Sequence, residues 1–266
     1  MSRRVDLIGM GTDVHSSFLR GPAKAPPLIR AALFSPHTNG ASERGLELGH
    51  EIDLNDRGDL ALTETSEDDA RITAAVDASL LAGAIPISLG GDHSITYPIL
   101  RAIGAHHGPV DILHFDAHPD LYDELDGDRR SHACPFARIM EEGLARRLVQ
   151  VGIRTLNKHQ REQADRFGVE QVEMRDVGRA RLAFENPLYI SIDLDAFDPA
   201  FAPGVSHHEP GGLSVREVMD LLLDLDVALL GADVVELNPD RDINGVTAAL
   251  AAKLVKELAA LACRPG

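Results

Sequence analysis

Residues 113–120 read LHFDAHPD, and their reading decides the fold. Val110, Ile112, Leu113 and Phe115 form an apolar lead-in with the look of a buried strand, and the run then ends in Asp116, His118 and Asp120. Side chains two apart in extended chain point the same way, so these three can converge just past the strand end. A second ladder, Asp193 and Asp195 in SIDLDAFDP, follows another apolar, β-branched run. His93 follows a third, in IPISLGGDHS.

Working outward, apolar runs alternate with helical patterns along the whole chain. Strands are expected at 5–11, 85–89, 148–153, 169–174, 188–194 and 228–237, besides the central one. Helices are expected from Ser66 to Gly83 and over 95–105, 135–142, 158–167 and 246–263, with a short Pro-initiated one near 21–34. Ser214 and Glu217 form a capping box that opens another. Residues 36–64 read as surface loop with a short strand near 47–52. The strands lack polar alternation, which predicts a mostly parallel sheet covered on both faces, a three-layer α/β/α fold. No repeat, linker or low-complexity segment interrupts it, so residues 1–266 are read as a single domain.

Composition narrows the function. The 266 residues carry a formal net charge of −16, which argues against nucleic acid or an anionic membrane surface as a partner and suits a cationic ligand. No run reaches the length of a membrane span. The first strand begins almost at once, leaving no room for a leader, so a cytoplasmic location is expected. Cys134 and Cys263 make neither a disulfide framework nor a zinc motif.

In open α/β sheets ligands bind beyond the carboxyl ends of the strands, where His93, Asp116, His118, Asp120, Asp193 and Asp195 all fall. Any one of them reads equally well as a turn former or cap. Six together read as a two-metal site, because carboxylates at this density repel one another unless cations neutralise them. A set of carboxylates with two imidazoles favours a hard or borderline ion, Mn²⁺ above all, two per chain. Two such ions about 3.5 Å apart generate hydroxide at neutral pH.

GGDHS (90–94), DAHPD (116–120), SIDLDAFDP (191–199) and DVVELNP (233–239) resemble the signature motifs of the ureohydrolases, the arginase and agmatinase family. HSSFLRGPAKAPPLIR, RSHACPFARIMEEGLARRLVQVGIR and FAPGVSHHEPGGLS extend the similarity, closest to plant-type arginase. The resemblance implies an arginase-like fold and hydrolysis of a guanidino group to urea by a metal-bridging hydroxide. L-arginine is the favoured substrate, with agmatine or another guanidino acid as the alternative. It implies that the six residues are the metal ligands and that Asp120 also holds the hydroxide. His132 matches the proton-shuttling histidine, Glu236 the glutamate that pairs with the guanidinium, and a homo-oligomer, trimer or hexamer, is expected.

The loop between Asp120 and His132, LYDELDGDRRSHA, departs from the animal-type pattern that binds the amino-acid end of arginine. Arg129, Arg130 and Ser131 would favour a carboxylate there; Asp123, Glu124, Asp126 and Asp128 would favour an amine. A two-metal phosphoesterase would use similar ligands, but Glu236 would repel its substrate. A non-catalytic relative would have lost ligands, and none is missing.

Overall fold

The computed structural model describes residues 4–263. Its centre is an eight-stranded sheet of β1 (Arg4–Met10), β2 (Asp53–Asp59), β3 (Ile85–Gly90), β4 (Val110–Phe115), β5 (Ala145–Ile153), β6 (Glu170–Glu173), β7 (Leu188–Asp193) and β8 (Leu229–Val235). The order is β2-β1-β3-β8-β7-β4-β5-β6, and every pairing is parallel. β3, β4, β7 and β8 are the four inner strands, and every residue of β3, β4 and β7 is buried. A strand covered on both faces needs an unbroken apolar run, which explains why none of them alternates with polar residues.

Helices cover both faces. α1 (Ala25–Leu33), α6 (Val215–Asp224) and α7 (Val246–Ala262) close one core with Leu113, Phe115 and Ile190 of the sheet. α2 (Asp68–Leu81), α3 (Thr96–His107), α4 (Pro135–Glu141) and α5 (Lys158–Phe167) close the other, where Ile112 and Tyr189 point. Leu113 and Ile112 enter opposite cores because neighbouring strand residues face opposite sides. This is the expected α/β/α sandwich, fully parallel rather than mostly so. No helix among the described residues is long and apolar enough to cross a membrane.

Two local expectations are corrected. The strand within 36–64 is β2, at 53–59, not 47–52. Its sequence, DLNDRGD, has no apolar period because it is an edge strand paired with β1 only. The second helix begins at Asp68, and Ser66 does not cap it. The buried Asp68 carboxylate instead accepts the backbone N–H groups of Thr63, Glu64 and Thr65, which ties down the preceding loop. α7 is apolar because it is buried against α1 and the sheet of its own chain, so its composition is no argument for an oligomer.

Candidate metal centre

The carboxyl ends of the four inner strands meet at one edge of the sheet, and each brings its side chains there. His93 follows β3 in a single 3-10 turn capped by Asp92, whose carboxylate accepts the Ser94 N–H. Asp116, His118 and Asp120 follow β4, Asp193 ends β7 with Asp195 just beyond, and Glu236 follows β8. Asp120 (φ 51°) and Glu236 (φ 67°) both adopt the left-handed conformation that non-glycine residues avoid. Such strain collects where side chains must be aimed.

All six expected ligands come together. His93 Nδ1 lies 3.3 Å from Asp116, 3.0 Å from Asp120 and 3.2 Å from Asp193. His118 Nδ1 lies 3.0 Å from Asp195 and 3.4 Å from Asp116. Backbone donors hold the carboxylates from behind: His118 N–H to Asp116 at 2.6 Å, Asp195 N–H to Asp193 at 2.7 Å and Ala117 N–H to Asp195 at 3.2 Å. Asp116 thus stands between the two histidines.

The polar atoms themselves test whether a cation fits. Ser191 gives its hydroxyl hydrogen to Asp233 at 2.6 Å, so its oxygen accepts from His93 Nε2 at 2.9 Å. In neutral His93 that leaves the lone pair on Nδ1, buried, without a hydrogen bond and facing three carboxylates. Acceptors gathered around an unpaired lone pair repel one another unless a positive charge lies between them. The proton affinities agree. Burial, then Asp195 and Asp116, push Asp193 well above the usual carboxylate range. Burial opposes charge on His93, yet Asp116, Asp120 and Asp193 hold its pKa well above 6.5. Without a metal, the cluster recruits protons as its counter-charge.

His114 joins the group unannounced, although it sits on the same side of LHFDAHPD as Asp116, His118 and Asp120. Its ring stacks on Phe136 at 3.9 Å. Gln150 gives one amide hydrogen to His114 Nδ1 at 3.1 Å, while its carbonyl accepts from Gln171 at 2.9 Å. His114 therefore carries its hydrogen on Nε2 and donates it to Asp116 at 2.8 Å. It orients the Asp116 carboxylate, and with both ring nitrogens engaged in hydrogen bonds it has no lone pair to spare.

Above this cluster is a cavity of about 230 Å³ whose wall includes Asp120, Asp193, Asp195, His118, His132 and Glu236. His132 Nδ1 donates to Glu236 Oε1 at 2.7 Å, and the same oxygen accepts the His93 N–H at 2.9 Å. Burial opposes charge on His132, but the Glu236 carboxylate, together with Asp92 and Asp120, outweighs it and raises the pKa to about 9. His207 also faces the cavity, 5.3 Å ring to ring from His132. Burial pushes its pKa down, as does the His132 charge. Cys134 is a free, buried thiol pushed by burial to about 12, which makes it inert.

The charged loop residues do not line the cavity. Arg129 pairs with Glu141 at 3.0 Å, and Arg130 pairs with Asp69 at 2.6 Å while lying over the Tyr97 ring. Asp128 is held by His15 at 2.7 Å and Asp123 by Gln163 at 2.8 Å. Tyr122, Leu125, Thr155, Gln160 and Glu209 take their place, with Ser17 from the loop after β1. They come from four loops and from α5, distant in sequence, so no spacing announces them.

A parallel α/β/α sheet with a buried carboxylate–imidazole cluster and an open cavity at its carboxyl edge is the build of an α/β enzyme. The chain belongs to the arginase family, whose model matches residues 3–260. It is a ureohydrolase, acting on the C–N bonds of guanidino groups. It is 52% identical over 272 residues to arginase 1, mitochondrial, of Arabidopsis thaliana, across 96% of this chain and 80% of that protein. It is 51% identical to arginase 2, chloroplastic/mitochondrial, of the same plant, across 96% and 79%. The solved arginase from Medicago truncatula superposes with a TM-score of 0.91 at 45% identity, covering 99% of this chain and 88% of that one.

These relatives overturn the expected cytoplasmic location: they are named for mitochondria and chloroplasts. The expectation rested on how soon the first strand follows residue 1, and where a sequence begins carries no information about compartment.

Proposed function

We propose that the chain is a two-manganese arginase of one domain that hydrolyses L-arginine to ornithine and urea. The observation that carries the metal part is the bare, buried Nδ1 of His93 facing three carboxylates. His93, Asp116, His118, Asp120, Asp193 and Asp195 would hold the ions, and their oxygen-rich set suits Mn²⁺. When bound, the pair of ions supplies a nucleophile from water at neutral pH and the counter-charge that the carboxylates lack.

The remaining work belongs to the chain's own side chains. Glu236 Oε1 is taken by His93 N–H and His132, which leaves Oε2 for the cationic guanidinium and fixes the plane of the carboxylate. Pairing there holds the guanidino carbon over the cluster, so attack proceeds from a set orientation. Collapse of the tetrahedral carbon breaks its bond to the substrate's side-chain nitrogen, which leaves as an amine and must gain a proton. His132, held protonated by Glu236, is placed to give it. Asp120 faces the reacting side of the cluster and can accept a hydrogen bond from the attacking oxygen.

L-arginine is preferred to agmatine because the chain is similar to proteins named arginase over nearly its whole length. The two substrates differ only in the α-carboxylate. Leaving a group that binds it unpaired costs about 1–3 kcal/mol, or roughly tenfold to a hundredfold in efficiency. A trimer or hexamer is proposed on family resemblance alone. The test is urea release with Mn²⁺ from arginine, agmatine, guanidinobutyrate and guanidine. The expected result is the highest kcat/KM on L-arginine; equal or higher efficiency on agmatine would replace arginase by agmatinase and leave the metal chemistry standing.

A further inference from the structure

The loop after β1 reads Thr-Asp-Val-His-Ser-Ser over residues 12–17 and looks like a plain polar turn. In the fold it is fastened at several points. The Asp13 carboxylate accepts the Gly21 N–H at 2.6 Å and the Ala23 N–H at 3.2 Å. The fully buried Asp92 accepts the His15 N–H at 3.1 Å, so the loop is tied to the turn that carries His93. The His15 carbonyl accepts the His132 N–H at 3.1 Å, and the His15 ring bonds Asp128 at 2.7 Å. These ties deliver Ser17 to the cavity wall with its Oγ 2.8 Å from His132 Nε2.

We propose that Ser17 is a positioning residue for His132, completing a Glu236–His132–Ser17 chain that holds the imidazole over the reacting centre. The proposal rests on the reading of His132 as the proton donor. A carboxylate only accepts, so His132 Nδ1 carries a hydrogen towards Glu236 in both protonation states. Nε2 is therefore the nitrogen that gains and loses the transferred proton. A hydroxyl suits that atom because it both donates and accepts: it gives its hydrogen to neutral Nε2 and takes one from protonated Nε2. The ring thus keeps two partners throughout the cycle and does not swing towards water after giving up its proton. Ser17 bonds His132 and neither the metal-site carboxylates nor Glu236, so its effect is expected to run through His132, which the KM-against-kcat split distinguishes from a contact with substrate.

The experiment is a double-mutant cycle on the manganese-loaded enzyme, with metal content and thermal midpoint measured for each protein. Ser17→Ala is expected to lower kcat about tenfold, the scale of one lost hydrogen bond, with KM within about twofold of wild type. Ser17→Thr keeps the hydroxyl at an exposed position and should restore most of the rate. In a His132→Ala background Ser17→Ala should change nothing further, because the two residues act as one unit. An Ser17→Ala enzyme as fast as wild type, a threonine variant as slow as the alanine one, or an equal loss in both backgrounds would overturn the role of Ser17. A His132→Ala enzyme with the wild-type rate would overturn the reading of His132 and this proposal with it.

Discussion

The floor and the rim of the cavity are built in opposite ways. The floor is made of strand ends: His93 and Asp116 are wholly buried, and Asp116 and Asp193 are each pinned by a backbone N–H two residues away. The rim is made of loops, where Tyr122, Thr155 and Glu209 come from distant parts of the chain and reach the cavity through tertiary contacts. The difference separates two tasks. The floor holds whatever breaks the C–N bond of any guanidino compound. The rim decides what is attached to it. A change on the floor should cost all substrates alike, and a change on the rim should cost some more than others.

The largest effect is expected at the centre of the floor. Asp193→Asn or Asp116→Asn removes a charge from the cluster, so metal occupancy and turnover should fall together, visible by elemental analysis and urea release. Normal metal content in both variants would mean that the cluster is not the binding site.

Next comes His132→Ala, expected to lower kcat by roughly 10²–10⁴ with two ions retained, the usual range for a general acid. The pH profile carries the sign. A proton donor works below its pKa, so kcat should fall on the alkaline side as the pH passes through the His132 value. Glu236 raises that value to about 9 and bound cations lower it, so the limb should lie at or below that pH. In His132→Ala the limb should vanish; an unchanged limb would assign it to another group.

How much of this was legible follows the same division. The inner strands could be read because burial on both faces demands mainly apolar runs, and the ligands because Asp and His gather where those runs end, although the chain bends after Phe115 and Asp120 is left-handed rather than extended. That β3, β8, β7 and β4 lie side by side was not legible, since strand order depends on crossovers. Nor was β2, whose charged sequence follows from its edge position. The outer supports were hidden for a related reason. Ser191 and Asp233 look like polar intrusions in apolar strands until β7 and β8 pair and set them beneath His93. The loop 121–131 misled, because its charges appeared free to face a substrate, whereas Asp123, Arg129 and Arg130 are spent on neighbouring helices and Asp128 on His15.

That correction gives the smallest predicted effect. Arg129→Ala should leave kcat/KM for arginine and agmatine each within about twofold of wild type, since a surface pair with Glu141 contributes little. A selective loss on arginine would return Arg129 to the substrate's tail and move the rim's work back into that loop.

The most direct test of the whole account is equilibrium binding of Mn²⁺ to the metal-stripped protein, with urea release from L-arginine followed through the titration. Binding should saturate at two ions per chain, with activity absent at the start and complete only when both are bound. Full activity in demonstrably metal-free protein, or saturation at a single ion, would contradict it.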